Sequence, residues 1–436
     1  MQDFIKNLKY EYSEKISALL KKRVSFAISG ITNCSKLIVL AQLLLKNNKK
    51  LVFVVETEQS ALKFQNDLKN LFQKEAVIFP YQDGSIYDTN SKNLYKYAKQ
   101  IEILNNQGNA EIIIIPQKAL FEKFPDNDFF EQNNIKIKVD EDIDVEKLSL
   151  QLIKLGYKRK TLVADIGEFS VRGDIIDIYP LNDNPYRIEL WGDTVTDIRI
   201  FDSSNQRSIT KQKEAIIQPI YKFILNEKSY KKIEKLIDKQ EENQLELLEQ
   251  IKEENYFEGI EHYETIFNND LTILPHLLSK DFVFVFDDYT KFKSRYEQTD
   301  DNLQKQYEEN IKTKLSLPLE KKNHFSLKEF LTTTSSFQKI YFDNFLSEEF
   351  DINVELQTEL IPYFASGLDE LAIFILEKLK QKYKVIIATD YKNRIEEILK
   401  EYEIPYGGKN TVEITDNIVL SGSIIEDCKL VILTDK

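Results

Sequence analysis

The chain has 436 residues, with 72 acidic against 59 basic side chains and 42% hydrophobic residues, a composition that excludes fibres and disordered polymers and accommodates about three domains at ~150 residues each. A net charge of −13 argues against broad electrostatic attachment to nucleic acid, which needs clustered Lys and Arg. Two distant cysteines, Cys34 and Cys428, and three scattered histidines, His262, His276 and His324, support neither a disulfide framework nor a zinc site.

The first residues, MQDFIKNLKYEYSEKISALL, follow an amphipathic helical pattern rather than that of a signal or transit peptide, and no window offers the ~18 apolar residues of a membrane span. A cytoplasmic protein without membrane association is expected. Residues 24 to 115 then alternate apolar strands (RVSFAIS, KLVFVVE, AVIFPY, AEIIIIP) with helical patterns, the grammar of a parallel sheet covered by helices. The first strand runs into GITNCSKL, which has the layout of a phosphate-binding loop. In that motif glycines let backbone N–H groups curl around the anion and a hydroxyl coordinates magnesium. Here Gly30 and Lys36 occupy their motif positions, but Ser35 stands at the second glycine and Leu37 at the hydroxyl. Ser35 adds a Cβ and Leu37 offers no oxygen to a hard cation, so no productive nucleotide binding is expected. Lys36 then reads as a solvated lysine in the first turn of a helix.

After Pro116 the pattern changes. IKIKVDEDIDVEKLSLQLIKLGY gives a strand and a helix, and EFSVRGDIIDIYP and YRIELWGDTVTDIRIFD read as strands with a turn at Gly192 and Asp193, a separate α+β unit. If Tyr186–Trp191 is a strand, Arg187, Glu189 and Trp191 share one face, while Ile188 and Leu190 face a core. Arg187 is expected either to serve an interface or to pair with Glu189 or Asp174. Asp174 and Asp177 read as solvent-facing or arginine-paired rather than as metal ligands, since no third ligand lies nearby. Glu234 to Glu264 holds eleven acids against three lysines, the solvated face of helices. The apolar DFVFVFDDY closes on Asp287 and Asp288, as does the strand whose acids hold magnesium in active nucleotide hydrolases; the alternative is two acids marking where a buried strand surfaces. The last stretch repeats strand and helix patterns in miniature, enough for a small domain. The sequence stops at Lys436 straight after a buried-looking strand, from which a truncated chain is expected.

FSVRGDIIDIYP followed by YRIELWGDTVTDIRIFDSSNQRS closely resembles the insertion domain shared by UvrB and the bacterial transcription-repair coupling factors, the Mfd family. The decayed loop, the passage FPYQDGSIYDTNSKNLYKYAKQIEIL without a long aromatic DNA-clamping hairpin, and Gln206, Arg207 and Ser208 favour the coupling-factor family over UvrB. The resemblance implies an α/β fold in which a degenerate P-loop-type parallel-sheet domain is split by an α+β insertion and followed by a small α/β domain. The expected boundaries are 1–118 and 213–345 for the two halves of the UvrB-like domain, 119–212 for the insertion and 346–436 for the last domain. It further implies UvrA binding through Arg172, Arg187 and Trp191, no catalytic or metal-binding residue in this chain, and a role in transcription-coupled repair. ATP, magnesium, RNA polymerase and DNA are expected to engage regions beyond residue 436, and a C-terminal domain of the full-length protein to cover the UvrA-binding face at rest. The competing expectation is a UvrB-like DNA-repair ATPase or DNA-binding protein.

Overall fold

The run Leu51–Val55 is buried along both faces, as a central strand of a parallel sheet must be. In the computed structural model the strand Lys50–Val55 lies inside a seven-stranded sheet in the order Asn353–Glu355, Phe26–Ser29, Lys339–Phe342, Phe282–Phe286, Lys50–Val55, Ile112–Pro116, Val77–Ile78. Every pairing in it is parallel. The structure describes all residues except 8–9, 33, 85, 87–92, 182–183, 239, 254–255, 258, 269, 314–316, 319–322, 344–349, 366, 409–410, 417 and 436. The stretch whose lack of an aromatic hairpin favoured one family over the other falls partly on residues 85 and 87–92, outside the described residues.

Strand alternation divides the core in two. Leu51, Phe53, Val55, Val283 and Val285 point to one face, packed beneath the helices Ser35–Ala41 and Glu58–Phe72. Val52, Val54, Phe282, Phe284 and Phe286 point to the other, against the 24-residue helix Tyr289–Lys312. The strand Phe282–Phe286 thus returns from far along the chain to the centre of the first sheet.

The second unit is a six-stranded sheet in the order Ser208–Gln212, Thr194–Phe201, Tyr186–Trp191, Ile175–Ile178, Glu168–Arg172, Lys158–Arg159, antiparallel but for the last pair. Its inner face, with Phe169, Ile176, Ile178, Ile188 and Ile198, packs in a core shared with Leu148 and Leu152 of the helix Val145–Lys154. Gly173 turns the hairpin between the fourth and fifth of these strands and Gly192 that between the second and third, with φ of 56° and 61°; both need the left-handed region that glycine enters freely. Ile135–Lys138 and Glu214–Ile217 form an antiparallel pair.

The last segment forms a five-stranded sheet in the order Thr358–Leu360, Ser423–Ile425, Leu430–Thr434, Lys384–Ala388, Glu413–Thr415, with the helices Leu368–Lys380 and Lys392–Glu401. Asn353–Glu355, beyond the expected division at 345, pairs with Phe26–Ser29, so this segment is joined to the main sheet before its own begins. The apolar run Ile418 to Leu420 lies outside any strand, and among the described residues around it Ser423–Ile425 is the stretch that pairs. No helix among the described residues is long and apolar enough to cross a membrane.

Candidate functional site

Two places bring the singled-out residues together. The first is the outer face of the six-stranded sheet, where cross-strand pairing sets Ser170, Asp177, Arg187, Arg199 and Lys211 in one row across five strands. Two arginines directly opposite one another repel, and carboxylates on both sides offset this. Asp177 is 0% exposed and is held by both Arg187, through Nε at 2.8 Å and Nη2 at 2.9 Å, and Arg172, through Nη2 at 2.5 Å. Arg199 donates to Asp197 at 2.7 Å and reaches Glu189 at 3.3 Å, while Lys211 donates to Asp197 at 2.7 Å. Hydrogen bonding from Lys211, opposed by burial and reinforced by Arg199, lowers the Asp197 carboxyl below its ordinary pKa.

Arg187 is further fixed by Gln206, whose backbone carbonyl and side-chain oxygen accept from its Nη1 and Nη2 at 3.0 and 3.2 Å, and by the ring of Phe201, 4.5 Å below the guanidinium. Gln206 in turn donates to the carbonyls of Val163 and Ser203. The partner of Arg187 is therefore Asp177 rather than Glu189 or Asp174; Asp177 sits opposite Arg187 in register, whereas Asp174 lies in the hairpin turn. Of the three residues expected to contact a partner, Arg187 is only 16% exposed and Arg172 43%, while Trp191 is 82% exposed. Trp191 ends its strand opposite Thr194, directly before the Gly192 turn, with the pairing register shifted between Glu189 and Leu190. A bare indole at the rim of an arginine face is the kind of anchor that protein interfaces favour. Sequence reasoning did not assign Asp177, Phe201 and Gln206 as the residues that orient Arg187; the arginine flanked by acids was the available signal.

The second place is the loop after Phe26–Ser29. Lys36, expected to be solvated, donates instead to Asp287 Oδ1 at 2.5 Å, both side chains being largely buried. The two reach one another because Asp287 leaves the centre of the sheet beside the first turn of the helix Ser35–Ala41, its N–H donating to the Val54 carbonyl at 2.9 Å. Asp288, at φ 56°, caps the helix Tyr289–Lys312 by accepting from the Lys291 N–H at 3.3 Å, and its carboxylate also pairs with Lys291 Nζ. Thus both acids of the apolar strand are engaged by lysines. Ser35 is buried, its hydroxyl accepting from the Thr32 N–H at 2.9 Å and donating to the Thr32 carbonyl at 2.6 Å, and Leu37 is buried in the core. Gly30 has φ 67°, and a Cβ there would lie 2.2 Å from the Leu356 carbonyl oxygen. No group of three or more potential metal-ligating residues is found among the described residues.

Residues 135–223 match the family model of the UvrB interaction domain. This span opens on the strand Ile135–Lys138 and contains the whole six-stranded sheet. Over 94% of its length the chain is 24% identical to the transcription-repair-coupling factors of Staphylococcus aureus strains USA300 and NCTC 8325, and over 91% of its length it is 24% identical to that of Staphylococcus haemolyticus. The chain spans 38% of the length of the first two relatives and 36% of the third.

Proposed function

We propose that this chain is the N-terminal, non-catalytic region of a transcription-repair coupling factor, and that the outer face of its six-stranded sheet docks UvrA. The observation that carries this reading is a coincidence of place. The span matching the UvrB interaction domain holds the exposed Trp191, beside arginines fixed by Asp177 and Gln206. Fixed guanidiniums lose little freedom when they meet a partner's carboxylates, and pre-organisation of this sort raises affinity without added contact area. Arg172 is the outward member of the pair, and Trp191 supplies the apolar anchor.

In this reading the loop Gly30–Leu37 binds no nucleotide, and ATP and magnesium belong to further regions outside this chain. Lys36 and Asp287, which would meet phosphate and metal in an active site, are each other's partner. RNA polymerase and DNA are engaged by those further regions, and a C-terminal domain of the full-length protein covers the docking face until the motor engages. Equilibrium binding of purified UvrA to this chain, with and without Mg-ATP, tests the reading. Saturable binding indifferent to nucleotide added to the chain is expected, and absence of UvrA binding contradicts it.

A further inference from the structure

The decayed loop is occupied by the chain itself. In a working phosphate loop the backbone N–H groups at the start of the helix point at the anion. Here the Cys34 N–H donates to the Ser421 carbonyl at 3.2 Å, the Thr32 N–H to the Ser35 hydroxyl at 2.9 Å and the Ser35 N–H to the Thr32 carbonyl at 3.0 Å. The Leu356 carbonyl fills the space over Gly30, and the Thr358 hydroxyl donates to the Gly30 carbonyl at 2.6 Å. The Ser421 and Leu356 carbonyls come from the last segment. A carbonyl oxygen therefore receives an N–H that a phosphate oxygen would take.

A second contact holds this segment in place. Asp67, on the helix Glu58–Phe72, is fully buried, and its two oxygens accept from the N–H groups of Val419 at 2.7 Å and Leu420 at 2.9 Å. Ile418, Ile425, Cys428 and Leu430 of the last segment share one core with Ile31, Cys34 and Leu37 of the loop. We propose that the former nucleotide loop is a socket for the last segment, with the stretch from Ile418 to Ser423 as its resident occupant and Asp67 as the latch, so that the Ser421 carbonyl holds the Cys34 N–H and the segment closes the loop. The proposal concerns a different surface from the UvrA face and stands independently of it.

The two cysteines of the chain report on the joint, since Cys34 lies in the loop and Cys428 in the last segment, both fully buried. Burial pushes each thiol up to about 12, so neither reacts until the joint opens. Thiol labelling of the native chain is compared with Asp67→Ala and the milder Asp67→Asn, which carries the test if Asp67→Ala does not fold. Loss of the charged acceptor should raise labelling of both cysteines together, by roughly tenfold or more for Asp67→Ala. Unchanged labelling in a folded variant, or acceleration of one cysteine alone, overturns the proposal. A loop restored towards the phosphate-binding pattern by Ser35→Gly and Leu37→Thr, with Asp67 intact, is expected to leave a fluorescent ATP analogue with magnesium unbound; saturable binding would show the socket to be empty.

Discussion

The loop at Gly30 and the sheet face at Arg187 are built from the same kinds of group, yet they end in opposite states. In the loop Lys36 and Asp287 neutralise one another and backbone carbonyls take up N–H groups of the former anion site. On the sheet face the charges are also paired, but the pairing leaves Arg172 partly open and Trp191 bare. The lesson concerns what a salt bridge implies: a buried pair is weak support for stability as such, and its meaning depends on whether it closes a site or aims a side chain. Lys36 closes one. Asp177 aims another.

Removing the aiming carboxylate breaks this contrast most forcefully. Asp177→Ala leaves Arg187, 16% exposed, without its bidentate partner, and breaking a buried pair from one side typically costs ~3 kcal/mol or more. A lowered denaturant midpoint for the unit holding the six-stranded sheet is the expected result. Arg187→Glu sets a carboxylate against Asp177 and should unfold the same unit, so loss of partner binding in that variant says nothing about contact. Gly30→Ala probes the closed site: a Cβ 2.2 Å from the Leu356 carbonyl, in the left-handed region that costs ~1–2 kcal/mol for other residues, should destabilise the chain by about 2 kcal/mol and accelerate hydrogen exchange at the Leu356 strand end. Wild-type stability in this variant would mean that the last segment does not press on the loop.

The smallest effect lies at the solvent edge of the row. Asp197 has a folded pKa lowered chiefly by Lys211, so its stabilising contribution is complete above the ordinary carboxylate pKa of about 4 and is lost as pH falls through the folded value. After solvent screening it should amount to under about 1 kcal/mol. Lys211→Ala should move the Asp197 midpoint upward in a carboxyl NMR titration; an unmoved midpoint would assign the shift to Arg199 alone.

The sheets were readable in the sequence where burial is two-sided or strictly alternating. Phe282–Phe286 and Ile112–Pro116 announce themselves as apolar runs, and Ile188 and Leu190 separate from Arg187 and Trp191 by period two. The strand Asn353–Glu355 did not, because three residues of mixed polarity carry no period, although its pairing with Phe26–Ser29 ties the last segment to the main sheet. The loop's decay was legible from Ser35 and Leu37, but not what fills it: Ser421 and Leu356 act through backbone carbonyls, which any residue could supply. The clasp on Asp177 was half visible. An acid near two arginines suggests pairing, while the choice of Asp177 over Asp174 follows from strand register, which depends on where the hairpin turns.

The account rests most heavily on Trp191 as an anchor for UvrA, and titration of purified UvrA into the wild-type chain and Trp191→Ala measures this directly. Trp191 is 82% exposed, so the substitution should leave the unfolding curve within about 0.5 kcal/mol of wild type. Truncating an interface tryptophan typically costs ~2 kcal/mol or more, about thirtyfold in affinity. A thirtyfold weaker isotherm with unchanged stability is the predicted result; equal affinity of the two proteins for UvrA would contradict the docking face described here.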